Sequence, residues 1–415
     1  MKRWPLLVLA VTLAACAQRP KAGDGPYADK VAEDVPKIEK ALGVKFKTPP
    51  KLEIRERAQV REFLLQKLNE PAVQKQLANE EATFKLLGMI PDTMHLKDLY
   101  VKVLTEQIIG YYDPKTKVLY VVNGAPEEYA GITIMHELVH ALQDQYVNVD
   151  SLESIEGDDD RAAAAQAVIE GQATYEQIFI MAGGNGNLAA QLPGGWESMR
   201  STIREAQATQ PIFSSAPRVI QESLLFPYIN GADFVRRFKA HRPGKLPLDS
   251  LPISTEQLMH DNAFFGNPPD LPSEITMPKI AGTLEENDFG EFGTRLYVYQ
   301  HTRNDDQSIR ASNGWDGDRY ALVKTPQGDA LAWVTVWDTP GDAAEFMSAI
   351  DAVMLHRFNV KPHVTGEHRH FESSKRTVDV EVKEMNGRPV VLYVDVPAGG
   401  PTSLLNFSQI KVTPR

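Results

Sequence analysis

Cysteine is nearly absent. Cys16 is the only one in 415 residues, so no internal disulfide can staple the chain. Long apolar runs are missing too: the first, in "MKRWPLLVLAVTLAAC", covers about a dozen positions, where a spanning helix needs about 20. There is no basic excess. The net charge of −11 argues against nucleic acid as a partner. No internal repeat is visible, and the one block of like charge, "EGDDDR" near residue 158, reads as the acidic start of a helix.

What remains is ordinary globular composition, 42% hydrophobic and 24% charged, in a chain long enough for two domains. The opening stretch has a basic start, a short apolar run and small residues, and its "LAAC" matches a bacterial lipoprotein signal. Residues 1–15 are then expected to be removed, leaving Cys16 acylated, with residues 16–26 as a polar tether. That places the protein at a bacterial cell envelope, attached to the membrane by lipid and facing the periplasm or the exterior. Ala17 and Gln18 give no inner-membrane retention signal, so the outer membrane is expected in a Gram-negative cell. A soluble secreted protein with an idle cysteine in its signal is the alternative.

The expected fold class is α+β. Residues 27–285 read as mostly helical with a small sheet, including a short strand at 52–55 and a hairpin in "GYYDPKTKVLYVV". A helix is expected around "LLFPYINGADFVRRF" with Pro227 near its start. Ser254 and Gln257, in capping-box spacing, put His260 in the second turn of another. Residues 286–415 read as a C-terminal α+β domain, an antiparallel sheet with one helix at 338–358. "TRLYVYQ", "RYALVKT" and "ALAWVTVW" are read as strands, and a hairpin turns at Asn386-Gly387.

The chemistry concentrates in "TIMHELVHALQDQY", which holds H-E-x-x-H. On a helix His136 and His140 lie about 40° apart on one face, and Glu137 lies beside that face. Met135, Leu138, Val139, Leu142 and Ile132 form a separate apolar stripe. Two neutral imidazoles can bind one Zn²⁺ at about 2.0–2.1 Å while a flanking carboxylate leaves its water in place. A third ligand is needed. Tyr146 and Gln143 stand where a third histidine and its glycine would be, so that pattern is excluded. The remaining source is a glutamate on the next helix: Glu170, among Ala162–Ala165, Ala167, Gly171 and Ala173, with Glu176 as the alternative. A buried carboxylate there calls for a cation. Gln143 shares the histidine face and is a candidate to line the cleft. His368 and His370 read as surface residues, and "GWDGDRY" as a turn.

These residues resemble the gluzincin branch of HExxH metallopeptidases, with a His-His-Glu zinc triad. More closely, the sequence is similar to a group of secreted bacterial and archaeal proteins. It shares with them "GYYDPKTKVLYV", "HELVHALQDQ", "EGQATY", "FPYINGADFV", "STEQLMH" and "GWDGDRYAL", in order across most of residues 45–350. The resemblance implies one Zn²⁺ per chain on His136, His140 and Glu170, with Glu137 as general base and a peptide or protein as substrate. It also implies a zincin-like fold with the zinc helices beneath a small mixed sheet. The edge strand of that sheet, Val118–Val122, would bind an extended peptide. His260, then Tyr228, are the candidates to stabilise the transition state. One departure stands out: Thr174 occupies the position of a supporting aspartate, which leaves Asp144 as the candidate support. The expected function is a lipid-anchored zinc metallopeptidase. The alternatives are a zinc amidase acting on cell-wall peptides and a catalytically idle zinc-binding lipoprotein.

Overall fold

The computed structural model describes residues 27–152, 155–184, 201, 203–205 and 208–415, so Cys16, the signal segment and the tether lie outside the described residues. The fold is α+β. It begins with α1 (Ala28–Leu42), β1 (Lys51–Arg55), α2 (Arg57–Leu68), α3 (Pro71–Leu86) and α4 (Leu96–Gln107). Local chemistry starts two of these helices. Glu56 and Gln59 close a capping box on α2, and Pro71 takes the first position of α3, where its missing N–H costs nothing.

The hairpin follows as β2 (Gly110–Asp113) and β3 (Val118–Val122), its turn held by the Asp113 carboxylate, which accepts from Lys115 N and Thr116 Oγ1. The three-stranded sheet has the order β1-β3-β2, with β1 parallel and β2 antiparallel to β3. This corrects one expectation. β3 is the central strand, buried along its whole length, because β1 arrives from some sixty residues upstream to cover its outer side. The edges are β1 and β2.

Next come α5 (Glu127–Gln143), the short α6 (Val149–Leu152) and α7 (Asp159–Met181). Met135, Leu138, Val139 and Leu142 of the α5 stripe, joined by Ile134, pack with Ile38 and Leu42 of α1 and with Leu119 and Val121 of β3. That burial leaves the histidine face turned toward α7. After α8 (Pro211–Ser215), the long α9 (Arg218–His241) runs through Pro227, which sits well inside the helix rather than near its start. The small residues of α7 serve this neighbour. A Cβ on Gly171 would stand 2.0 Å from the Gly231 carbonyl carbon, and one on Gly231 would stand 1.8 Å from the Ala167 carbonyl oxygen. The two helices touch backbone to backbone.

Ser254 caps α10 (Thr255–Met259) by accepting from Gln257 N, and His260 ends that single turn where α11 (Asp261–Phe265) begins. β4 (Glu274–Thr276) and β5 (Thr283–Asn287) follow, then α12 (Gly290–Thr302), α13 (Asp305–Ser312), β6 (Trp315–Thr325), β7 (Gly328–Trp337) and α14 (Pro340–Phe358). The chain continues through β8 (His363–Thr365), β9 (His368–Glu372), β10 (Arg376–Met385) and β11 (Arg388–Pro397) to β12 (Lys411–Thr413), which pairs with β4. A seven-stranded antiparallel sheet has the order β5-β6-β7-β11-β10-β9-β8. Its residues alternate between two cores: Leu331, Trp333 and Tyr393 face α14, while Ala332, Val334 and Val394 face the β4–β12 side.

Three sequence expectations fail here. "TRLYVYQ" is helical, part of α12, because the Asp318 carboxylate accepts from Phe289 N and Gly290 N and so caps the helix from a distant strand. "GWDGDRY" is strand rather than turn: it enters β6 through a bulge between Trp315 and Gly317, and the indoles of Trp315 and Trp333 also donate to Asp318. Two helices of this half, α12 and α14, pack on the sheet rather than one, and α13 packs on both of them. Its first strand straddles residue 285, the expected boundary. Among the described residues no helix is long and apolar enough to cross a membrane.

Candidate metal centre

Helix α5 puts His136 and His140 one turn apart, and α7 brings Glu170 between them. His136 Nε2 lies 3.2 Å, and His140 Nε2 3.3 Å, from Glu170 Oε2. All three side chains are buried, at 1%, 7% and 4% exposure. A tetrahedral ion with bonds of about 2.0–2.1 Å spaces its ligand atoms about 3.3 Å apart, so these separations fit one metal ion.

The imidazoles are held from behind. His136 Nδ1 meets Gln177 Oε1 at 3.2 Å, and His140 Nδ1 meets Gln143 Oε1 at 2.8 Å. An amide oxygen only accepts, so each Nδ1 carries a proton and each Nε2, on the Glu170 side, is the nitrogen whose lone pair a metal would take up in place of a proton. Gln143 is itself fixed, donating from Nε2 to Ile169 O and to Gln172 Oε1. It supports a ligand rather than lining a cleft. Asp144, the expected support, is bound elsewhere, by Tyr112 Oη at 2.7 Å and by Lys117 Nζ. The glutamines do its work.

Electrostatics agree with a cation site. Burial opposes the charge on Glu170, yet the two imidazoles pull its carboxyl down to about 2. Burial likewise opposes a charged His140, but Glu170 holds it up at about 9, while burial pushes His136 down. One positive charge therefore already sits with Glu170, where a metal would displace a proton. Glu137, 1% exposed, is driven up to about 8 by burial first and by Glu170. Its Oε2 accepts from Tyr112 N at 2.7 Å, while its Oε1 is buried without a hydrogen-bond partner.

Of the other expected residues, Tyr228 reaches the site: its ring centroid lies 6.1 Å from that of His136. Among the described residues no hydrogen bond, ion pair or ring contact joins His260 to the triad. Its Nε2 meets both oxygens of Glu291 at 2.9 Å, and that bond raises its pKa. Glu176 is fully buried but paired with Lys239 Nζ, on another side of α7 from Glu170. His368 and His370 have an acidic partner that sequence reading missed: Asp379 of β10 lies 3.0 and 2.7 Å from their ring nitrogens. Gln177 was also missed, although a signal was present. It follows Glu170 by seven residues, about 20° away on the same helix face.

Residues 278–400 match a family model described as a domain of unknown function, DUF8575. That stretch holds the large sheet and its helices, apart from the triad. No curated protein matches the chain. Among solved structures, one from Chloroflexus aurantiacus, described as a candidate hydrolase with a novel fold, is similar at a TM-score of 0.35 and 18% identity. The likeness covers 58% of this chain and 88% of that one. The His136, His140 and Glu170 group can hold a metal ion.

Proposed function

We propose that the chain is a zinc-dependent peptidase. Two imidazoles and one carboxylate form a borderline donor set that suits Zn²⁺. Zinc bound there would acidify a water and polarise a carbonyl. The observation that carries the reading is Glu137 Oε1, a buried carboxylate oxygen without a partner, one residue after a triad histidine on the same helix. Tyr112 N–H holds the other oxygen, so Glu137 keeps one position from which to take a proton from water and pass it to a leaving amine. Tyr228 supplies the hydroxyl for the developing oxyanion; His260 is committed to Glu291. An extended peptide lies along β2, the sheet edge whose Tyr112 reaches Glu137.

The test is a matched set of variants assayed on unfolded protein substrates and on cell-wall peptides. Glu137→Gln should keep about one zinc per chain and lose about 10²–10⁴-fold in cleavage. His136→Ala should lose the zinc. Undiminished cleavage by Glu137→Gln removes the base assignment. Cleavage restricted to cell-wall peptides moves the substrate class to amidase.

A further inference from the structure

The triad is one of two groups of side chains that could hold a metal among the described residues. The second is built from oxygen alone. Glu256 comes from α10, Asp270 from the loop that follows α11, and Asp338 from the residue after β7; one carboxylate oxygen of each lies within 4.8 Å of the others. Glu256 is the floor, at 6% exposure, while Asp270 and Asp338 are only partly buried and form the mouth.

Partners separate this pocket from an ordinary acidic surface. Arg388 binds Asp338 Oδ1 at 2.8 Å through Nη1 and Asp316 Oδ2 at 3.1 Å through Nε. Ser273 Oγ also donates to Asp316, and His260 occupies Glu291. Among the described residues nothing donates to the carboxylates of Glu256 or Asp270. Of Glu256, Asp270, Asp316 and Asp338, the guanidinium of Arg388 thus reaches only Asp316 and Asp338. A buried carboxylate with no donor is costly unless a cation or a proton neutralises it. Burial first, then Glu291, Asp270, Asp338 and Asp316, push the Glu256 carboxyl up to about 10.

We propose that Glu256, Asp270 and Asp338 bind a Ca²⁺ ion that fastens the helical half of the molecule to the large sheet. Three carboxylates without nitrogen or sulfur suit a hard cation, and their origin in three separate segments suits the adaptable shell of Ca²⁺ better than the strict octahedron of Mg²⁺. The location gives the ion its role. Next to Glu256, Thr255 donates to Asp160 at the start of α7, while Asp338 joins β7 to α14.

The experiment titrates Ca²⁺ alone into the EGTA-treated full chain, following heat of binding and Tm. One saturable site is expected, with Tm rising as Ca²⁺ is added, and His136→Ala should behave the same because the triad takes no part. Asp270→Asn, a partly exposed change that removes no hydrogen bond, should weaken Ca²⁺ by more than about tenfold, and Glu256→Gln likewise. No heat and no Tm shift up to about 10 mM Ca²⁺ would overturn the proposal, leaving a proton on Glu256. An unchanged affinity in Asp270→Asn would overturn it as well.

Discussion

An imidazole that offers its Nε2 lone pair must have its Nδ1 proton held, or the ring can turn and present the wrong nitrogen. Here two carboxamides, Gln177 and Gln143, hold it. Gln177→Leu and Gln143→Leu should each weaken zinc binding by about 10–100-fold, measured by competition with a chromophoric chelator. Gln143→Leu should also lower Tm, since it breaks the tie to Ile169 and Gln172, whereas Gln177→Leu should leave the fold intact. Most of this centre was legible in the sequence. His136, Glu137 and His140 lie within one helical turn, where the periodicity alone sets their relation. Glu170 was legible because a carboxylate among alanines and glycines has few other uses. The part the glutamines play was harder to see: Gln143 stood on the histidine face without a role as support, and Gln177, on the Glu170 face of its helix, carries no charge to mark it and stands 41 residues from the ring it meets.

At the scale of elements, the α7–α9 crossing decides most. Ordinary overpacking costs about 1–3 kcal/mol, relieved by rotamer changes, but main chain against main chain has no rotamer to change. Gly231→Ala should therefore lower Tm by more than an ordinary core overpacking and reduce zinc content. Gly131→Ala is the control. A Cβ there meets only the flexible end of Lys30 at 3.2 Å, so removing a helical glycine should leave Tm level or raised. The small residues of α7 stood in the sequence around Glu170, but their backbone contact with α9 left no sign there. Elements were misread where a distant residue intervened: β3 became central because β1 covers it, and "TRLYVYQ" became helix because Asp318 caps it from β6. The Asn386-Gly387 hairpin needed no such help. Both residues take the positive φ that its turn requires, 52° and 81°.

Across the whole molecule, the C-terminal end of α3 is gripped by two side chains from the C-terminal half. Arg357 of α14 donates to Leu86 O, and His301 of α12 bonds Leu87 O through Nε2 at 2.9 Å. Burial first, then Arg357, depress His301 to about 3. The unfolded chain takes up that proton near pH 6.5, well before the folded one does. The His301 contribution is therefore complete above that pH and lost as pH falls toward 3, by about 1.4 kcal/mol per unit. Compared with His301→Gln, the wild-type Tm advantage at pH 7 should shrink at pH 6, 5 and 4; a constant advantage would contradict a buried neutral ring. Such a grip between residues 214 apart leaves no periodic trace, whereas the sheet itself was readable from its alternation. The meeting of Gly171 with Gly231 also governs the size of the proposed active site. Glu170 and Tyr228 hang from helices separated by nothing but peptide thickness, so that spacing cannot be widened by trimming side chains. Engineering this protein to accept bulkier substrates would have to begin on the opposite wall, at β2 and Tyr112.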